Sequence, residues 1–270
     1  MGQRRILTAL SVTLFLAAML GFAQHSYRQN RWAMYESEMQ HPVDDPPDAW
    51  EKTEFAFGRL RFRSYRDGGR YFRARWGTDS NKSERQFIQG LRRLTRVHAR
   101  SVEQIVDIDS DEIYDWPFMY AVGIGDWSLS EAHALRLRNY FERGGFLMVD
   151  DFHNEREWGQ FMAGINRIFP NANVVEIQDG DPIFNIVYQL KTESHVPGYQ
   201  VVWGQEWERG GVGHHYRAVV DDKNRVQVAI CFNMDLGDAW EWADAPEYPE
   251  KYAGLAFRLG VNYVLYTMTH

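Results

Sequence analysis

The sequence predicts an α/β domain: a mostly parallel sheet with helices on both faces, finished by a C-terminal β-hairpin and a long helix. Three observations predict it. Two short, almost wholly apolar runs, 117–123 and 144–149, flank a helical stretch that stops at Gly144, the strand–helix–strand order of a right-handed crossover. Two more apolar runs, 216–220 and 226–232, are joined by the polar Asp221-Asp222-Lys223-Asn224-Arg225, a hairpin pattern. The last of the apolar patterns, 252–268, is long enough to close the fold as one helix.

The 270 residues, 44% apolar and 25% charged, have the composition of a globular protein and exclude disorder as the main state. A formal charge of −7, with no Lys/Arg-rich block beyond the N-terminus, leaves a phosphate backbone little to hold, which excludes nucleic acid as a partner. Ten Trp and 15% aromatics are more than a core alone usually needs and leave room for a stacking surface such as a sugar platform, though large aromatic cores are the plainer reading. Cys231 is the one cysteine, so neither an intrachain disulfide nor a Cys-based zinc site can form, and its apolar surroundings make it an inert buried thiol.

In chain order, residues 1–23 read as a signal peptide or signal anchor. Arg4-Arg5 precede an apolar run from Ile6 to Phe22, and Gly21-Phe22-Ala23 offers small residues for cleavage. The expected location is extracytoplasmic, periplasmic or secreted, with contact to a membrane only through this segment if it stays uncleaved. Residues 24–53, polar and Pro-rich without periodicity, read as a linker or arm on the domain surface, and 54–270 as a single α/β domain. Residues 55–62 alternate in their second half, a strand with Arg59 and Arg61 on its wetter face. A loop follows over 64–79. Phe87, Ile88, Leu91 and Leu94 recur at helical spacing, giving a helix over 83–97 capped by Ser83, with Arg85, Arg92, Arg93 and Arg96 on a solvated face.

A short strand at 104–108 and an acidic connection lead to the strand at 117–123. Ser128-Leu129-Ser130-Glu131 reads as a capping box, Ser128 capping and Glu131 reciprocating, for the crossover helix. After 144–151 come a helix over 155–168 closed by Pro170, a strand at 173–177, and an apolar segment from Asp181 to Leu190. Residues 191–215, rich in Gly, Trp and His, show no regular period, and a stretch of that length points to a functional loop or insertion.

Several of these stretches together resemble one bacterial family, catalogued as domain of unknown function 4159: residues 55–62, 117–123 and 144–151, Phe169-Pro170, Asp181-Pro182-Ile183-Phe184, 233–242 and 260–270. The resemblance implies a flavodoxin-like three-layer sandwich similar to class I glutamine amidotransferases, and implies no activity or catalytic residues. Those enzymes carry a catalytic Cys in a Gly-x-Cys-x-Gly elbow. Cys231 sits between Ile230 and Phe232, so glutamine hydrolysis is not expected.

If the strands ending near Gly123, Asp150 and Phe232 run parallel, Asp126, Asp150, Asp151, His153, Asn233 and Asp235 share one rim, where α/β sheets bind ligands. Alternation puts Asp151 and His153 on one side, a pair that could hold a divalent metal or poise a base. The plainer alternative is that these carboxylates cap the next helix. His214-His215 could be a ligand pair or hairpin-edge residues. Trp240-Glu241-Trp242 could stack a sugar with Glu241 accepting from it, or pack under the last helix. The functional expectation is a non-catalytic extracytoplasmic module that binds a protein or carbohydrate ligand, with no cofactor beyond such a metal. The alternative is a metal-assisted hydrolase of carbohydrate or ester substrates using Asp151, His153 and Asp235.

Overall fold

Seven strands form one sheet: β1 (Gly58–Arg61), β2 (Gln104–Asp107), β3 (Phe118–Val122), β4 (Phe146–Phe152), β5 (Asn173–Glu176), β6 (His215–Val220) and β7 (Val226–Phe232), in the order β2-β1-β3-β4-β7-β6-β5. The structure is a computed structural model that describes residues 35–64 and 75–270, so the targeting segment at 1–23 lies outside the described residues. Residues 35–39 form a short helical turn, and the chain from Gln40 onward forms a separate unit. Within that unit β2, β1, β3, β4 and β7 are mutually parallel, while β6 is antiparallel to both of its neighbours. The central strands β3 and β4 are buried along their whole length, which is why they read as apolar runs rather than alternating ones.

The helices are α1 (Lys82–Leu94), α2 (Glu131–Glu142), α3 (Asn154–Ile168), α4 (Pro182–Asn185), α5 (Leu236–Glu241) and α6 (Glu250–Thr269). α1, α5 and α6 pack on one another, with α4 against α6, and α2 packs with α3. This is the flavodoxin-like sandwich. One core is aromatic: the Trp240 ring lies 4.6 Å from Phe87 and 5.6 Å from Tyr120. Under α3, Phe161 stacks with Trp127 at 5.7 Å and meets Phe152 at 4.9 Å. Among the described residues no helix is long and apolar enough to cross a membrane.

Four local expectations are corrected. Arg59 and Arg61 do not face water: Arg59 is fully buried, its Nε donating to Trp76 O at 2.8 Å and its Nη atoms to Glu84 and Thr78 O, and Arg61 meets Asp107 at 2.5 Å. A buried strand tolerates an arginine where carbonyls and a carboxylate satisfy every donor. Arg85 likewise leaves the solvated face of α1, pairing with Glu103 at 2.6 Å and Asp45 at 2.7 Å. The cap of α2 is Ser130 rather than Ser128: its Oγ accepts from His133 N at 3.2 Å and His133 Nδ1 accepts from Ser130 N at 3.3 Å, so a histidine does the work expected of Glu131. Helix α1 begins one residue before Ser83, whose hydroxyl turns to Glu84 at 3.0 Å.

Candidate functional site at the carboxyl ends of the parallel strands

β3, β4 and β7 are parallel neighbours, so the segments that follow them lie on one rim. At the end of β4 the pairing with β7 shifts register between Val149 and Phe152, and Asp151 takes φ 51°, a left-handed conformation that a non-glycine residue adopts only where its surroundings enforce it. The strand's alternation is broken at this point. Asp150 is fully buried, and its Oδ2 accepts from Tyr120 Oη at 3.1 Å and from Leu236 N and Gly237 N at 2.6 and 3.0 Å. It therefore caps α5, which follows β7, and not α3. Burial, and then the charge of Asp151, push its carboxyl up to about 8 against the pull of those two amides.

Asp151 is held from three sides. Oδ2 accepts from Arg75 Nη2 at 2.7 Å, and Oδ1 from Arg209 Nη2 at 2.6 Å and lies 3.2 Å from His153 Nε2. Burial opposes its ionisation, but the two guanidiniums and the imidazole outweigh that and hold the carboxyl far below its usual range. Burial lowers the His153 imidazole, leaving it neutral despite Asp151. Glu157 ties in from α3, accepting from His153 N at 2.8 Å and facing Arg75 at 3.4 Å. Asp126, buried after β3, adds its charge beside Arg75, so it belongs to the same ionic lattice.

Beyond His153 the balance of charge reverses. Glu208 Oε2 lies 3.9 Å from His153 Nε2, and its Oε1 is buried without a hydrogen-bond partner. One oxygen each of Glu208, Asp235 and Asp238 lies within 4.8 Å of the others, and so does one each of Asp79, Asp238 and Glu241. Gly198 is the wall of the first group: a Cβ there would stand 2.0 Å from Glu208 Oε1, 2.8 Å from Asp238 Oδ2 and 3.1 Å from Asp235 Oδ2. Burial and mutual repulsion push Glu208 up to about 8, Asp238 to about 6, and Asp235 and Asp79 well above the carboxylate range. A hard cation suits such a group of oxygens better than it suits Asp151 and His153, because two arginines already neutralise Asp151.

A family model matches residues 57–268, nearly all of the chain that follows the arm. The chain belongs to the family described as Domain of unknown function (DUF4159). No curated protein compared with it matches. In this DUF4159 member the rim brings together Asp151 and His153, and Asp235 reaches them through Glu208. Asn233, at φ 58°, is structural: its Oδ1 accepts from Asn154 N at 2.9 Å and its Nδ2 donates to Gly213 O at 2.6 Å, which pins the 191–215 loop to the start of α3. The two neighbouring histidines separate, His214 Nε2 bonding Thr192 O at 2.9 Å and His215 Nδ1 facing Glu176 at 3.3 Å, so they are not one ligand pair. Trp240 is fully buried and offers no stacking face; Glu241 accepts from His41 Nδ1 at 2.5 Å.

The residues that sequence reasoning missed are Arg75, Asp79, Glu208, Arg209 and Asp238. Glu208 and Arg209 lie in the irregular 191–215 loop whose length had marked it as functional, and Asp238 lies between Asn233 and Trp242, a stretch that carried the family resemblance.

Proposed function

We propose that this chain is an extracytoplasmic, non-catalytic binding module that takes a hard divalent cation at the rim of its sheet and, through it, an oxygen-bearing ligand such as a carbohydrate or a carboxylate of a partner protein. The observation that carries this reading is the convergence of one oxygen each from Glu208, Asp235 and Asp238 to within 4.8 Å of one another, packed against Gly198, with Glu208 Oε1 unpartnered. Arg209 Nη1, 3.6 Å from Glu208 Oε2, neutralises this group only in part; three crowded carboxylates still repel one another, and a cation coordinated by six to eight oxygens offsets that cost while leaving positions for a ligand. The apolar run behind Arg4-Arg5 supports the extracytoplasmic location. The order of the parallel strands supports kinship with the class I glutamine amidotransferase-like fold. Glutamine hydrolysis does not follow from it, because Cys231 is buried inside β7 with its thiol pushed up by burial.

The test is calorimetry on the full chain, stripped with chelator, against Mg²⁺, Ca²⁺ and Mn²⁺ in turn. Saturable uptake that Asp235→Asn abolishes is expected. No heat with any of the three, and no change in thermal midpoint, would overturn the reading.

One observation favours a second reading. His153 donates from Nε2 to Asp151 Oδ1 at 3.2 Å, which leaves Nδ1, buried without a hydrogen-bond partner, as the nitrogen that would take a proton from a cation-bound water. A metal-assisted hydrolase would then cleave chromogenic esters or glycosides only with the cation present, and His153→Ala would lose that turnover while retaining the ion.

A further inference from the structure

Resting on the cation reading of the rim, we propose a second divalent cation site between Asp79, Asp238 and Glu241, adjoining the first through Asp238 and closed by the arm residues Gln40 and His41. Asp238 belongs to both groups of converging oxygens, so the two positions share a residue, as binuclear sites do. Two further observations stand apart from the mere presence of acids. Asp79 and Glu241 are each 1% exposed, and Asp79 Oδ2 and Glu241 Oε2 have no hydrogen-bond partner. A buried carboxylate oxygen normally finds a donor, and two without one in the same cluster of carboxylates point to a missing positive charge.

His41 meets Glu241 at Oε1 and leaves Oε2 without a donor. Arg59, whose charge acts on Asp79, spends its donors on Glu84, Trp76 O and Thr78 O. Gly237 lets Asp79 sit against the backbone: a Cβ there would stand 2.3 Å from Asp79 Oδ2 and 2.8 Å from Tyr120 Oη, so a larger residue would push the carboxylate away. The arm then covers the group. Gln40 N donates to Gly77 O at 3.0 Å, Gln40 Oε1 accepts from Asp79 N at 3.2 Å, and His41 N donates to Ser80 O at 2.9 Å. The His41 ring lies on Glu241 Oε1 at 2.5 Å with its edge toward Trp242 at 5.9 Å, and its side chain is 43% exposed. The second cation is thus placed under a strap formed by Gln40 and His41.

The experiment uses the full chain and Mn²⁺ alone. Equilibrium dialysis with elemental analysis is expected to give two Mn²⁺ per chain, with an electron paramagnetic resonance signal broadened by spin coupling, and Glu241→Gln is expected to reduce this to one ion with an uncoupled six-line signal. One ion per chain in the unaltered protein, or two ions retained by folded Glu241→Gln, would overturn the inference and leave the first site standing. No bound ion would overturn both. Should Glu241→Gln fail to fold, the count and the coupling in the unaltered chain decide the matter without it.

Discussion

Asp151 accepts from Arg75 and Arg209 and sits against His153, so its charge is the counter-ion of two guanidiniums whose side chains are only 17% and 33% exposed. Removing it strands them. Asp151→Asn is therefore expected to lower stability by about 3 kcal/mol, near the lower end for a broken buried pair because Arg209 reaches water; urea denaturation measures it, and a loss below about 1 kcal/mol would mean that the arginines find other partners. Uptake of a cation by the Glu208, Asp235 and Asp238 group should survive in whatever fraction stays folded. Gly198→Ala tests the converse. Its Cβ would stand 2.0 Å from Glu208 Oε1, so cation affinity should fall at least tenfold in calorimetry while urea stability changes little once Glu208 swings out. At this scale the sequence was half legible. It paired Asp151 with His153 by strand parity, and the two do meet, but across a left-handed residue and a register shift that no local pattern announces. Asp150 was expected either at the rim or capping the helix that follows it; it caps α5 instead, a contact between residues 86 and 87 positions apart.

The elements themselves were legible because burial imposes a period. Strands covered on both faces must be apolar throughout, and helices with one covered face must repeat every three to four residues, so β3, β4, β7, α2, α3 and α6 can be read from the chain. Loops carry no such period, and the rim is assembled largely from loops: Arg75 and Asp79 from one, Glu208 and Arg209 from another. Arg59 and Arg85 misled for a related reason, since a side chain's charge does not reveal that a carboxylate from a distant element will meet it. How closely elements dock is a separate matter, and α3 shows it. Gly164 lets the helix approach the Trp127 ring so nearly that a Cβ would lie 2.3 Å from it, and that ring is backed by Phe161. Gly164→Ala gains about 1 kcal/mol of helix propensity but forces the stack apart, which costs about 1–3 kcal/mol. A net loss of stability with a red-shifted tryptophan emission is expected, and a gain would show that α3 can slide without strain.

Across the whole molecule the acids at the rim make stability depend on pH in a direction opposite to that of an ordinary globular protein. Asp150 and Glu208 are raised to about 8 in the folded state, whereas in the unfolded chain they ionise near 4. Between those values the folded chain holds more protons than the unfolded one, so stability falls as pH rises. His153 and His195, both lowered by burial, work the other way, but only below 6.5, where unfolded histidines take up protons. Asp151, held low, matters only in acid. The window from pH 6.5 to 8 is therefore governed by the carboxyls, and the metal-free chain should lose up to about 1.4 kcal/mol per pH unit for each of Asp150 and Glu208 as it deprotonates. A divalent cation binds the ionised oxygens and competes with those protons, so its stabilising effect should grow over the same window. Urea titrations at pH 6.5 and 8, with chelator and with Mn²⁺, measure both slopes. A metal-free chain equally stable at the two values would show that Asp150 and Glu208 are not held protonated by their burial. Mn²⁺ stabilising no more at pH 8 than at 6.5 would show that the ion, wherever it binds, does not displace those protons.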